Sequence, residues 1–104
     1  MMDQTASGGA RILVVEDDIA MREMLVRYLG AQDFVVTVAR NGAEMDAQFA
    51  SAAPNLIVLD LRLDRENGLD LLRRLRSRSE VPVIIMTGHP VSYTHLRAHE
   101  TGRN

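Results

Sequence analysis

Three short apolar runs, each followed by polar residues that can carry chemistry, constrain the fold of this chain more than any other feature. The runs lie at residues 11–15, 56–59 and 83–86, and helix-like segments separate them. In an open parallel sheet the carboxyl ends of neighbouring strands meet at one crevice, so residues far apart in sequence form one site there. The polar residues after the runs are therefore predicted to form a site, which consists of Glu16, Asp17, Asp60 and Thr87.

The segments between and beside these runs predict a doubly wound α/β fold with a parallel sheet. From Ile19 to Leu29 apolar residues recur at helical spacing, and Gly30 is placed to end that helix. The other predicted elements are a strand at 35–38, a helix at 43–53 after an Asn41-Gly42 turn, and a helix after Gly68 with Leu69, Leu72 and Leu75 on one face. The order βαβαβαβ implies right-handed crossovers and helices on both faces of the sheet.

The composition is that of one folded domain without a basic surface. Hydrophobic content of 46% and charged content of 25% over 104 residues match ordinary globular usage. A formal net charge of -2 does not indicate a basic surface for direct contact with nucleic acid. The arginines between residues 62 and 78 are interpreted as a solvated helix face. The absence of cysteine excludes disulfides and thiolate metal sites.

The ends of the chain carry no predicted membrane segment. Residues 1–10 are small and polar, and they are predicted to be a flexible leader. No stretch approaches the roughly 18 apolar residues that a spanning helix needs. We therefore expect a cytoplasmic protein without a membrane partner.

Three motifs together carry a family resemblance. They are Ile-Leu-Val-Val-Glu-Asp-Asp at 12–18, Val-Leu-Asp-Leu-Arg-Leu at 58–63 with Gly68 and Leu69 following, and Pro-Val-Ile-Ile-Met-Thr-Gly at 82–88. With these motifs, residues 11–89 resemble the receiver domain of bacterial two-component response regulators. The resemblance implies a flavodoxin-like fold in which Asp60 accepts a phosphoryl group from a histidine kinase. It also implies a signalling switch and not an enzyme.

The acidic residues that match the family pattern suit a divalent cation. A carboxylate that attacks phosphorus approaches a group that is itself negative, so a cation is needed to neutralise the charge. Mg²⁺ prefers oxygen ligands, and the expected ligands are Asp17, Asp60, the backbone carbonyl of Arg62, and Glu16 through water. Thr87 is expected to donate its hydroxyl to a phosphoryl oxygen and to draw the following loop toward the site.

Other interpretations of the same residues stay open. Asp18 lies just before the helix that starts at Ile19, so we expect it to be a structural helix cap. Asp60 would instead be the nucleophile of a Mg²⁺-dependent phosphohydrolase in a rival hypothesis, which is weakened because Arg62 stands where such enzymes usually have a second acid. A further rival is an inert or merely interacting fragment.

The chain departs from the family pattern in two places. Residues 64–67, Asp-Arg-Glu-Asn, occupy the position of a loop that contains proline in many receivers. The family also has a lysine at the end of a fifth strand, and this sequence contains no lysine. The receiver fold is therefore expected to lack its last helix, strand and helix.

The C-terminal residues have a separate predicted origin. Residues 91–101, Val-Ser-Tyr-Thr-His-Leu-Arg-Ala-His-Glu-Thr, resemble a translated transposase sequencing adapter. We therefore expect a truncated receiver domain at 11–90 and a non-native tail at 91–104. The natural parent is expected to carry an output domain, and the segments at 60–63 and 68–73 are similar to receivers joined to DNA-binding winged helices, which is family analogy alone.

Overall fold

The computed structural model describes residues 9–86 and has alternating strands and helices. Its elements are β1 (Arg11–Val15), α1 (Ile19–Ala31), β2 (Val35–Ala39), α2 (Gly42–Ser51), β3 (Leu56–Asp60), α3 (Gly68–Arg76) and β4 (Val83–Met86). The predicted βαβαβαβ order is confirmed. The predicted tail at 91–104 and Thr87 lie outside the described residues. None of the described helices is long and apolar enough to cross a membrane.

The four strands form one parallel sheet in the order β2-β1-β3-β4. This order reverses direction at β1, as in flavodoxin-like folds, so the doubly wound prediction is confirmed. β1 and β3 are the central pair and are buried on both faces, which explains why their sequences are continuously apolar. In the register of the sheet, Val14 lies opposite Val38 on one side and Val58 on the other.

Helices cover the sheet unequally on its two faces. On one face, α2 and α3 contribute Met45, Leu71 and Leu75 to a core that includes Leu13 and Leu59 of the central strands. On the other face, α1 packs through partly buried residues against a smaller buried cluster, which consists of Ile12, Val14 and Val58. No residue of α1 is fully buried, so the larger share of the described core lies under α2 and α3.

Helix boundaries follow capping chemistry and differ slightly from the sequence predictions. Asp18 caps α1 as predicted, because its side chain accepts a hydrogen bond from Met21 N at 2.9 Å. Gly30 does not end α1, which continues to Ala31 before Asp33 adopts a left-handed backbone with φ of 71°. Asn41 is the N-cap of α2 and accepts from Glu44 N at 2.9 Å, so the predicted turn is a helix start.

The buried face of α3 is rotated from the predicted one. Leu71 and Leu75 are buried, whereas Leu69 is 45% exposed. Positions 71 and 75 are one turn apart and share a face, and Leu69 lies on another side of the helix. The prediction that Leu69 joins this face was therefore wrong, because the face of α3 that is buried is set by its packing against the core and not by the spacing of its leucines alone.

Candidate metal centre

The acidic residues after β1 and β3 lie together at the carboxyl edge of the sheet. Because β1 and β3 are hydrogen-bonded neighbours, their ends bring Glu16 and Asp17 next to Asp60. One carboxylate oxygen from each of the three lies within 4.8 Å of the others. We call these three residues the acidic cluster. Thr87 was predicted to join them, but it lies outside the described residues and its role stays a prediction.

Asp60 is the last residue of β3 and is only 3% exposed. Its Oδ1 atom accepts a hydrogen bond from Arg62 N at 3.0 Å, which orients the carboxylate at the strand end. The start of α3 packs tightly here, since a Cβ atom at Gly68 would lie 2.7 Å from Asp60 O and 2.5 Å from Leu61 Cα. Glycine at position 68 therefore allows the chain to turn into α3 directly against the phosphoacceptor candidate.

Glu16 is the most buried member of the acidic cluster, at 2% exposure. Its Oε2 atom accepts from Asp18 N at 3.0 Å, but Oε1 is buried and has no hydrogen-bond partner among the described residues. Burial raises the pKa of Glu16 to about 7, and the carboxylates of Asp60 and Asp17 add to the rise while the Asp18 amide opposes it. This carboxylate has a buried oxygen without a donor and lies next to two further carboxylates, so a bound cation would stabilise its charged form.

Asp17 connects the acidic cluster to the loop after β3. Its Oδ2 atom accepts a short hydrogen bond from Asp64 N, although the two residues are 47 positions apart. The carboxylate is half-buried and lines an open cleft. The cleft has a volume of about 440 Å³ and is lined by Glu16, Asp17, Asp18, Met21, Asp60, Arg62 and Asp64. A small group can therefore reach the carboxylates from solvent.

Arg22 is a contact of the site that the sequence analysis missed. Its Nη1 atom donates to Glu16 O at 3.0 Å and lies 3.5 Å from Asp17 O. Arg22 follows the cap residue Asp18 by four positions, which places its side chain over the preceding loop. That spacing was a usable signal in the sequence. Arg22 holds the backbone that presents the two acids and brings a positive charge near them.

The arrangement suits a hard divalent cation. Carboxylate oxygens are the ligands that Mg²⁺ and Ca²⁺ prefer, and three of them here converge from two strands. Three carboxylates this close are unfavourable unless a cation or a proton compensates them, and the charges of Asp60 and Asp17 add to the rise in the pKa of Glu16 that burial mainly causes. The predicted convergence of Glu16, Asp17 and Asp60 is present, whereas the predicted ligand role of the Arg62 carbonyl stays a prediction.

Comparison with known proteins identifies the family of the fold. A family model described as the response regulator receiver domain matches residues 12–104. The regulatory protein VirG of Agrobacterium tumefaciens is 36% identical over 83 residues, which cover 80% of this chain and 31% of VirG. The transcriptional regulatory protein AruR of Pseudomonas aeruginosa is 43% identical over 83 residues, which cover 75% of this chain and 34% of AruR.

A solved structure agrees with this assignment. A chain from the crystal structure of histidine kinase ThkA in complex with response regulator protein TrrA superposes with a TM-score of 0.69 and 30% identity. The match covers 76% of this chain and 69% of that chain. This chain spans about a third of the length of the two curated relatives, VirG and AruR.

Proposed function

We propose that this chain, which belongs to the family of response regulator receiver domains, is a phosphoacceptor switch that takes a phosphoryl group on Asp60. The observation that carries the proposal is the acidic cluster, in which Asp60 lies beside Glu16 and Asp17. In this cluster Oε1 of Glu16 is buried and has no described hydrogen-bond partner. Burial of an aspartate at a strand end is costly unless a compensating charge is present. A cation-assisted acceptor accounts for that cost, and a purely structural residue does not.

Asp60 suits the acceptor role better than its two neighbours do. Its Oδ1 atom is oriented by Arg62 N, and the side chain lines the open cleft. Glu16 and Asp17 also accept one backbone amide each, from Asp18 N and Asp64 N, so the acceptor role is proposed for Asp60 because it is the strand-end aspartate that matches the acceptor of the family. In the transfer, an Asp60 oxygen forms a bond to phosphorus while the bond from phosphorus to a donor nitrogen breaks, and that nitrogen takes up a proton.

A divalent cation is part of the proposal. Mg²⁺ would neutralise the charge between the phosphoryl group and the acceptor carboxylate when bound. The residues proposed to hold it are Asp17, Asp60, the backbone carbonyl of Arg62, and Glu16 through water. The unpartnered Oε1 of Glu16 supports this set, because a water on the cation would supply the donor that this atom lacks. Thr87 is proposed to donate its hydroxyl to the phosphoryl group.

The comparisons support a place in two-component signalling. The similarity to a chain from the complex of a kinase with a response regulator supports a histidine kinase as the phosphoryl donor. The names of VirG and AruR are those of regulatory proteins, and both are about three times longer than the matched part. We propose that the parent protein is cytoplasmic and carries an output domain, and the name of AruR, a transcriptional regulatory protein, supports a DNA-binding role for that domain.

Phosphoryl labelling tests the proposal directly. The full chain, incubated with Mg²⁺ and labelled phosphoramidate, should acquire an acid-stable, base-labile label with one phosphoryl group per chain. Asp60→Asn should abolish the label, because the amide oxygen is a far weaker nucleophile. Asp64→Asn is the matched control, since it keeps the backbone amide that contacts Asp17 and should label normally.

Two results would contradict the proposal. Labelling that persists in Asp60→Asn would place the acceptor elsewhere, and equal loss in Asp64→Asn would show a general effect of charge. Continuous release of phosphate that depends on Asp60 would instead favour the phosphohydrolase. Circular dichroism of each variant keeps loss of fold apart from loss of chemistry.

A further inference from the structure

The segment from Leu61 to Asn67, here called the metal-site loop, joins β3 to α3, and hydrogen bonds connect its two ends. Arg62 and Asn67 pair in an isolated antiparallel bridge, and Gly68 N donates to Leu61 O at 3.1 Å. The side chain of Leu63 is buried in the core. The base and the middle of the loop are therefore anchored, although no proline restricts its backbone.

Two backbone amides of the metal-site loop contact carboxylates of the acidic cluster. Arg62 N donates to Asp60 Oδ1 at 3.0 Å, and Asp64 N donates to Asp17 Oδ2. Both carboxylates can turn about their side-chain bonds, so the donors fix which oxygens face the cluster. A shift of the loop would consequently reorient two of the three acids.

Glu66 attaches the metal-site loop to a third element. Its Oε1 atom accepts a hydrogen bond from Gly42 N at 2.7 Å, although 24 positions separate the residues. Gly42 is the first residue of α2, where backbone N–H groups have no partner within the helix and a negative charge is favourable. The N-cap Asn41 serves a different donor, Glu44 N, so Glu66 is the acceptor for the first amide.

Glycine at position 42 permits the close approach of this side chain. A Cβ atom there would lie 2.9 Å from Glu66 Oε2 and 2.7 Å from Leu71 Cδ2. The loop side chain and the first turn of α2 are thus fitted to each other, and Glu66 is half-buried between them. Among the described hydrogen bonds, the one between Glu66 and Gly42 N joins the metal-site loop to α2.

We infer that Glu66 is a positioning residue for the metal centre, because its bond to Gly42 holds the metal-site loop where the Arg62 and Asp64 amides orient Asp60 and Asp17. Glu66 does not touch the acidic cluster itself. It acts through the loop, as residues outside the ligand set commonly do at metal sites. This inference rests on the proposed function, since it concerns how the same site binds Mg²⁺.

Three substitutions separate the effect of the side-chain length of Glu66 from the effect of its charge. Glu66→Gln keeps the length and an acceptor oxygen, Glu66→Asp keeps the charge but is one methylene too short, and Glu66→Ala removes both. Glu44→Gln is the matched control, because Glu44 also lies in the first turn of α2 but pairs with Arg40 and not with the loop. Mg²⁺ dissociation constants come from titrations of the full chain followed by amide NMR shifts of Arg62 and Asp64.

We expect the loss of Mg²⁺ affinity to depend on the length of the side chain at position 66 and not on its charge. Glu66→Asp and Glu66→Ala should weaken Mg²⁺ binding by about three- to tenfold, as loss of one hydrogen bond would. Glu66→Gln and Glu44→Gln should stay within about twofold of the parent chain. The Gly42 amide should exchange with solvent faster only in the Asp and Ala variants.

Other outcomes overturn the inference. Unchanged Mg²⁺ binding in folded Glu66→Asp and Glu66→Ala would show that the loop needs no such anchor, while leaving the proposed function intact. If Glu66→Ala does not fold, the comparison of Glu66→Asp with Glu66→Gln decides, and equal affinities overturn the inference. Absence of Mg²⁺ binding in the unsubstituted folded chain would overturn the proposed function, and the inference with it.

Discussion

Two groups of charged residues in this molecule are built on opposite principles. In the acidic cluster, the carboxylates of Glu16, Asp17 and Asp60 converge, and in their described hydrogen bonds these carboxylates accept only from backbone amides. On the outer surface of α2 and α3, Asp46 instead pairs with Arg74 at 2.8 Å and with Arg78. The first group holds like charges together, whereas the second joins opposite charges across two helices.

The pKa values show the difference. Burial raises the pKa of Glu16 to about 7, and its acidic neighbours act in the same direction. Burial also acts to raise the pKa of Asp46, but Arg78 and Arg74 outweigh it and the pKa is lowered. The charged form of Asp46 is thus stabilised, whereas burial and, to a lesser extent, the neighbouring carboxylates destabilise the charged form of Glu16, which a cation would stabilise.

The affinity for Mg²⁺ should distinguish the two groups of charged residues most strongly. Asp17→Asn should weaken Mg²⁺ binding by more than the roughly 10- to 100-fold that loss of an outer partner of a metal site costs. Asp46→Asn should leave the affinity within about twofold, since Asp46 binds only arginines. Calorimetric titration of both variants measures this, and similar losses in the two would remove the distinction.

A second, smaller effect appears in the pH dependence of stability without metal. The pKa of Glu16 is about 7 in the folded chain against 4.5 for the ordinary group, so the folded state holds a proton that the unfolded state releases between these values. The free energy of unfolding should therefore fall as pH rises from about 4.5 to about 7, by up to about 3 kcal/mol.

Urea unfolding with a chelator, compared at about pH 5 and about pH 8, measures this change. Glu16→Gln should flatten the profile, because the amide cannot lose a proton. Added Mg²⁺ should restore stability to the unsubstituted chain at the higher pH. A profile that is equally steep in Glu16→Gln would assign the pH dependence to other groups.

The smallest effect concerns the Asp46 pair with the two arginines. Asp46→Asn should lower the free energy of unfolding by about 0.2–1 kcal/mol, the range for exposed ion pairs, and the loss should shrink in high salt. Under the same conditions at about pH 8, Glu16→Gln should raise the free energy of unfolding. Urea unfolding of the two variants would contradict the comparison if both changes had the same sign.

Some features of the molecule were accessible from short stretches of sequence. The apolar run 11–15 and the acids after it predicted a strand and its polar end, and Asp18 was identified as a helix cap. The helix boundaries at Gly30 and the buried face of α3 were placed less well. The first error is one residue in the position of a helix end, whereas the second concerns which side of a helix is buried, and that depends on packing partners elsewhere in the chain.

The arginines between residues 62 and 78 show the same limit. They were interpreted as a solvated face, but Arg74 and Arg78 pair with Asp46 of α2, and Arg78 lies 5.8 Å from the centre of the Phe49 ring. Nothing in the spacing of these residues indicates a partner on another helix. The pairing exists because α2 and α3 pack side by side on one face of the sheet.

The order of strands and helices and the residues at the ends of β1 and β3 could be predicted from the sequence, because strand and helix periodicities and caps depend on neighbours within one or two turns. The folded structure was needed to find the contact of Glu66 with Gly42, the bond of Asp64 to Asp17 and the raised pKa of Glu16. These features join residues from 24 to 47 positions apart or depend on burial. They arise from the register of β1 against β3 and the packing of α2 beside the loop, which no local pattern encodes.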